Sequence, residues 1–146
     1  MGIFDQIIHN KCLTVPIILW CIVQILKFFI ELIRNKKVDL KRLVGAGGMP
    51  SSHSAIVCSL ASCIGKEYGF NSGLFAISLI FAFVVMYDAC GVRRAAGKQA
   101  VLLNKLIETP GLTNIEVQEK LVEVLGHTPI QVFVGALLGI IVGIII

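Results

Sequence analysis

Leu13 to Ile33, LTVPIILWCIVQILKFFIELI, is the stretch whose reading decides the fold. It is long enough to cross a bilayer as a helix, since about 20 residues rising 1.5 Å each cover the hydrocarbon core. Its first two-thirds carry no charge. Gln24, Lys27, Glu31 and Arg34 then recur at spacings of three and four, which places them on one helical face. Charge inside a membrane helix is costly and faces a partner or a cavity. Two readings of Lys27 follow: an ion pair with Glu31 one turn on, or a cation aimed into a polar site built from the rest of the chain.

Composition extends the membrane reading to the whole molecule. The 146 residues are one domain's worth, 1–146, and 56% apolar content with a mean hydropathy of +0.87 exceeds what a soluble domain of that size carries. The net charge of +4 comes from clustered basic residues, which an anionic lipid surface accounts for. The interleaved aromatic and basic pattern of nucleic-acid binding is missing, so no nucleic-acid partner is expected. Five cysteines without a CxxC pair read as small buried residues. No small-residue cleavage site follows the first apolar run, which reads as a retained segment and not a cleaved signal. Residues 1 to 12 read as a surface turn, with Phe4, Ile7 and Ile8 lying on the bilayer.

Beyond Ile33 come Arg34, Lys36, Lys37, Lys41 and Arg42 against a single Asp39, and the positive-inside rule puts this loop in the cytoplasm. It leads into Gly45–Ser54, GAGGMPSSHS. Glycines allow close backbone approach to a ligand, Pro50 suits a first helical position, and helix N–H groups with the hydroxyls of Ser51, Ser52 and Ser54 beside His53 suit a phosphate-sized anion. The bland alternative is a loop with a serine cap. A second helix is expected from Ser54 to about Lys66, short and rich in Ala, Ser and Cys, as close packing in a membrane requires. Asn71 is the expected cap of a third helix, Gly73 to about Cys90, apolar until Tyr87 and Asp88.

Gly91 opens VRRAAGKQAVLLNKL, a basic amphipathic segment. Arg94, Lys98 and Lys105 share one face, which suits lipid headgroups, while Arg93 lies with Gly97 and Asn104 on another. Thr113 and Glu116 form a capping box for a surface helix expected to end at Gly126. Thr128, Pro129 and Gln131 form another, opening an uncharged run to Ile146 and leaving His127 just outside a helix N-terminus.

The expected fold is therefore all-α: an integral membrane bundle of about four embedded helices, with one or two amphipathic surface helices. Alternating crossings bring Lys27, the basic loop, His53, Asp88, Arg93 and His127 to one membrane face. Two histidines, fixed cations and one carboxylate suit phosphoryl transfer without a metal or other cofactor. One imidazole attacks phosphorus to give a phosphohistidine, the other protonates the leaving oxygen, Arg and Lys stabilise the equatorial oxygens, and Asp88 orients the attacking imidazole.

GGMPSSHSA, DACGVRRAAGKQAVLLNKL and LGHTPIQVFVGALLG, with QILK in the first helix, closely resemble the divergent branch of the type-2 phosphatidic acid phosphatase family. That branch is related to acid phosphatases and vanadium-dependent haloperoxidases, and the resemblance covers nearly the whole chain. The main family's signatures are KxxxxxxRP, PSGH and SRxxxxxHxxxD. Lys27 and Arg34 match the spacing of the first, with Asn35 in place of its proline; Pro50, Ser51, Ser52 and His53 match the second with Ser for Gly. The third is absent as written, because Gln99 stands six residues beyond Arg93. The resemblance implies that His53 is a general acid and that Lys27 and Arg93 are phosphate ligands. His127 enters as nucleophile from its position alone. With Ser51, Ser52 and Arg94 as further phosphate-binding candidates and Asp88 as orienter, the expected function is hydrolysis of a lipid phosphate or diphosphate at the cytoplasmic face of a plasma (inner) membrane. The rival is a membrane scaffold that keeps the anion pocket without the chemistry. The bilayer and a phosphorylated lipid are the expected partners, and a homo-oligomer is left open.

Overall fold

The computed structural model describes residues 2–35, 48–109, 121–122 and 125–146, with 34 and 35 described by backbone only. The described residues form six helices and no strand: α1 (Ile3–His9), α2 (Lys11–Asn35), α3 (Ser52–Tyr68), α4 (Gly73–Cys90), α5 (Val92–Glu108) and α6 (Pro129–Ile145). Lys36, Lys37, Lys41 and Arg42, the first glycines of the Gly45–Ser54 stretch and the Thr113–Glu116 box lie outside the described residues.

α3 is the hub, packed against α2, α4 and α6. Its composition explains why. Ser52, Ser54, Ala55, Cys58, Ser59, Ala61, Ser62, Cys63 and Gly65 are all buried, and none is large enough to hold a neighbouring helix away. α6 meets it with the matching device, a glycine every four residues. A Cβ on Gly135 would lie 2.3 Å from the Ser51 carbonyl oxygen, on Gly139 2.4 Å from that of Ala55, and on Gly143 2.6 Å from that of Ser59. The two backbones are thus in direct contact over the length of α6.

The outer surface is apolar. Ile77 and Phe133 are 70% and 67% exposed, and Phe81, Phe83 and Val84 also face outward. α4, apolar all round yet burying only Ser78, Ala82 and Ala89, has the character of a lipid-facing helix. Lys11–Ile33 and the stretch opening at Gly73 are long and apolar enough to cross a membrane. α3 and α6, at 17 residues each, are shorter.

Several boundaries differ from the sequence reading. α1 replaces the expected turn, with the Asp5 carboxylate accepting the Gly2 N–H at its start. α3 opens at Ser52 with Ser51 as its cap, so Pro50 precedes the helix and does not begin it. Ser72, not Asn71, caps α4 by accepting the Phe75 N–H. Leu121, Val122, Leu125 and Gly126 are not helical. Leu121 gives its N–H and carbonyl to the Asn104 side chain, and those are the groups that a helix through this residue would use. Cys58 and Cys63 are buried as expected, but Cys12 and Cys90 are only partly so and Cys21 is exposed; all five are free.

Candidate functional site

The starts of α3 and α6 and the junction of α4 with α5 carry His53, His127, Asp88 and Arg93, and Lys27 joins the histidines from within α2. Ser51 closes the start of α3: its hydroxyl oxygen accepts the Ser54 N–H at 3.3 Å and the Ser54 hydroxyl at 3.0 Å. Ser51, Ser52 and Ser54 are all buried, so these hydroxyls do not face outward, and Ser51 serves the helix cap first. The first-turn N–H groups of Ser52 and His53 are ones that a helix leaves open. α6 starts in the same way. Thr128 accepts the Gln131 N–H, the Gln131 side chain accepts the Thr128 N–H, and Pro129 takes the first helical position, as the sequence indicated. The two starts are tied together where the Ser51 N–H donates to the Gln131 carbonyl at 3.0 Å.

His53 lies in the first turn of α3 and His127 one residue before the α6 cap. Their ring centroids are 6.2 Å apart and the rings are inclined at 59°. The two imidazoles are therefore neighbours in one cluster. His127 is 3% exposed, and among the described residues neither ring nitrogen has a partner in hydrogen-bond geometry, although Gln131 and the backbone of Gly48 are close enough to favour its protonated form. Its main chain is fixed, with its N–H on the Ala89 carbonyl at 2.8 Å. Burial, and next the Lys27 ammonium, push the His127 pKa below the ordinary imidazole value, so the ring is neutral near neutral pH.

Lys27 is the buried cation of the cluster. It donates to Gln24 at 3.3 Å, its stem lies beside Gly48, and its charge acts on both histidines. Gly48 has a φ of 80°, a left-handed conformation that favours glycine. Arg93 supplies a second positive charge to His53, whereas Arg94, beside it, is half-buried with its backbone against Gly126. Asp88 departs from its expected place. Its carboxylate accepts from Arg93 Nε in an exposed pair and orients neither imidazole. Arg94, Lys98 and Lys105 share a face of α5 away from the buried one made by Gly97, Ala100 and Asn104.

Two features were not singled out from the sequence. The Gly135, Gly139, Gly143 ridge has a visible signal, small residues at a spacing of four in an apolar run. The Asn104 clamp on Leu121 has none, because nothing local marks which backbone a buried amide will meet.

The profile of the Divergent PAP2 family matches residues 8–142. The chain belongs to that family. Among similar proteins is the "Uncharacterized membrane protein YuiD" of Bacillus subtilis (strain 168), 43% identical, with the alignment covering 84% of this chain and 85% of the relative. No solved structure matches. Membership in the divergent PAP2 family and the outward apolar surface together make this a membrane protein. The family match takes in His53, Lys27, Asp88, Arg93 and His127.

Proposed function

We propose that this chain is a membrane phosphatase that hydrolyses a lipid phosphate or diphosphate through a phosphohistidine. The observation that carries the reading is His127: a buried imidazole with no hydrogen-bond partner among the described residues, its ring centre 6.2 Å from that of a second imidazole, and under the charge of Lys27. A buried polar group without a partner needs an explanation, and an anion is one. A neutral His127 nitrogen attacks phosphorus while His53 gives its proton to the leaving oxygen. Water then attacks the phosphohistidine, its proton passing to His53, and inorganic phosphate leaves. Lys27, Arg93, Ser52 and the open N–H groups at the start of α3 hold the equatorial oxygens. The negative charge of the bound phosphate favours a proton on His53, the form a general acid needs. Arg94 is the weaker candidate, because Arg93 supplies the charge at His53.

In the same reading α2, α3, α4 and α6 are all embedded, and the site faces the cytoplasm from the inner membrane, as the basic residues after Arg34 favour. The test is phosphate release from a panel of lipid phosphates and diphosphates by protein in liposomes. We expect turnover that survives chelation, is inhibited by vanadate, and falls at least about a hundredfold in His53→Ala and His127→Ala. Wild-type protein as inactive as these variants across the panel overturns the proposal. The Asp88–Arg93 pairing and the missing third signature favour the rival scaffold, for which the same panel gives saturable headgroup binding without turnover.

A further inference from the structure

His127 reaches the cluster from chain that has no helix at the residues described just before it, and two attachments hold that chain to α5 and the end of α4. One is the turn at its end. Gly126 has a φ of 83°, and a Cβ there would meet the Arg94 backbone nitrogen at 2.4 Å, while the His127 N–H bonds the Ala89 carbonyl. The other is Asn104, ten residues along α5 from Arg94. Its Nδ2 donates to the Leu121 carbonyl at 2.9 Å and its Oδ1 accepts the Leu121 N–H at 3.0 Å. One side-chain amide thus serves both backbone groups of one residue, as an adjacent strand would. Asn104 is 4% exposed and lies on the buried face of α5 with Gly97 and Ala100.

The two attachments are close in sequence: Leu121 stands five positions before Gly126 and six before His127. If the Asn104 end is released, Gly126 and His127 depend on one close contact and one hydrogen bond.

We infer that Asn104 is a positioning residue, whose clamp on Leu121 keeps His127 buried and facing His53. The inference rests on the reading of His127 as a site residue. With alanine at 104 both Leu121 groups turn to water, and the chain carrying His127 opens more often.

The test is modification of the full chain in nanodiscs by diethyl pyrocarbonate, with rates read separately at the three histidines by mass spectrometry. His9, exposed on α1, is one internal reference; the other is the Cys63 thiol, buried on α3 against Gly143 and away from His127, read by its alkylation rate in the same samples. We expect Asn104→Ala to raise the His127 rate by about 5- to 30-fold, the effect of losing one or two hydrogen bonds, with His9 and Cys63 unchanged. Asn104→Asp keeps the acceptor but sets a buried carboxylate against the Leu121 carbonyl, so its rate rises at least as far. An unchanged His127 rate overturns the inference, and so does a parallel rise at Cys63, which would mean general loosening. If neither variant folds, amide exchange in the wild type decides: protection at Leu121 supports the clamp, and exchange at the rate of an unstructured peptide overturns it. Where phosphate release is measurable, Asn104→Ala lowers kcat and leaves KM nearly unchanged. If the wild type releases no phosphate, that result counts against the phosphatase proposal alone, and the His127 rates still decide the role of Asn104.

Discussion

Burying His127 carries a cost, because a buried polar atom with no partner among the described residues forfeits about 1–3 kcal/mol of hydration. It also makes the protein sensitive to acid. The folded state lowers the His127 pKa, so the unfolded chain binds the proton more readily, and stability must depend on pH. The sign is fixed: the contribution is complete above the ordinary value of about 6.5 and is lost as pH falls through the lower folded value. The melting temperature of the wild type should therefore drop between about pH 7.5 and pH 5.5 by more than that of His127→Gln. Equal drops in the two proteins would remove His127 as the cause. The same shift puts the acid limb of a pH–rate profile below about 6.5, with the apparent values belonging to the histidine pair jointly.

Between elements, the contact of α3 with α6 sets the spacing of the site, because His53 and His127 stand at the starts of these two helices. Gly139→Ala places a methyl group 2.4 Å from the Ala55 carbonyl oxygen and 2.9 Å from the Ser59 nitrogen, and neither is a side chain that can turn aside. The helices must part. The expected loss is about 1–3 kcal/mol, read as a lower melting temperature. Gly73→Ala is the control, since nothing lies within 4 Å of its added carbon and losing chain entropy favours alanine. Similar melting temperatures for the two variants would mean that the ridge is not under contact. Elements bounded by strong local signals were legible from the residues: α4 ran as expected, and α6 began at its capping box. His53, Lys27, Arg93 and His127 were legible for the same reason, each standing at a helix boundary or as a charge in an apolar run. The pairing of Asp88 with Arg93 and of Asn104 with Leu121 was not, because periodicity records which face a residue occupies and not what that face meets.

At the scale of the whole molecule the two ends differ in chemistry. One gathers His53, His127, Arg93 and Asp88. At the other Lys11 and Lys66 donate to the carbonyls of Ile146 and Ile145, favourable placements for cations at the C-terminal end of α6. If α4 crosses the membrane, exposed positions before it and after α5 lie on opposite sides. In a background lacking the native cysteines, Asn71→Cys should react with an impermeant maleimide on intact cells and Thr109→Cys only after permeabilisation. Labelling of both from one side would remove the α4 crossing, and the reverse pattern would turn the site outward. The glycine ridge has a consequence at this scale as well. Since main chain meets main chain at Gly135, Gly139 and Gly143, no large side chain determines how far apart the imidazoles stand. Changing the isoleucines, leucines and phenylalanines on the outer surface of α4 and α6 therefore leaves the imidazole spacing as it is.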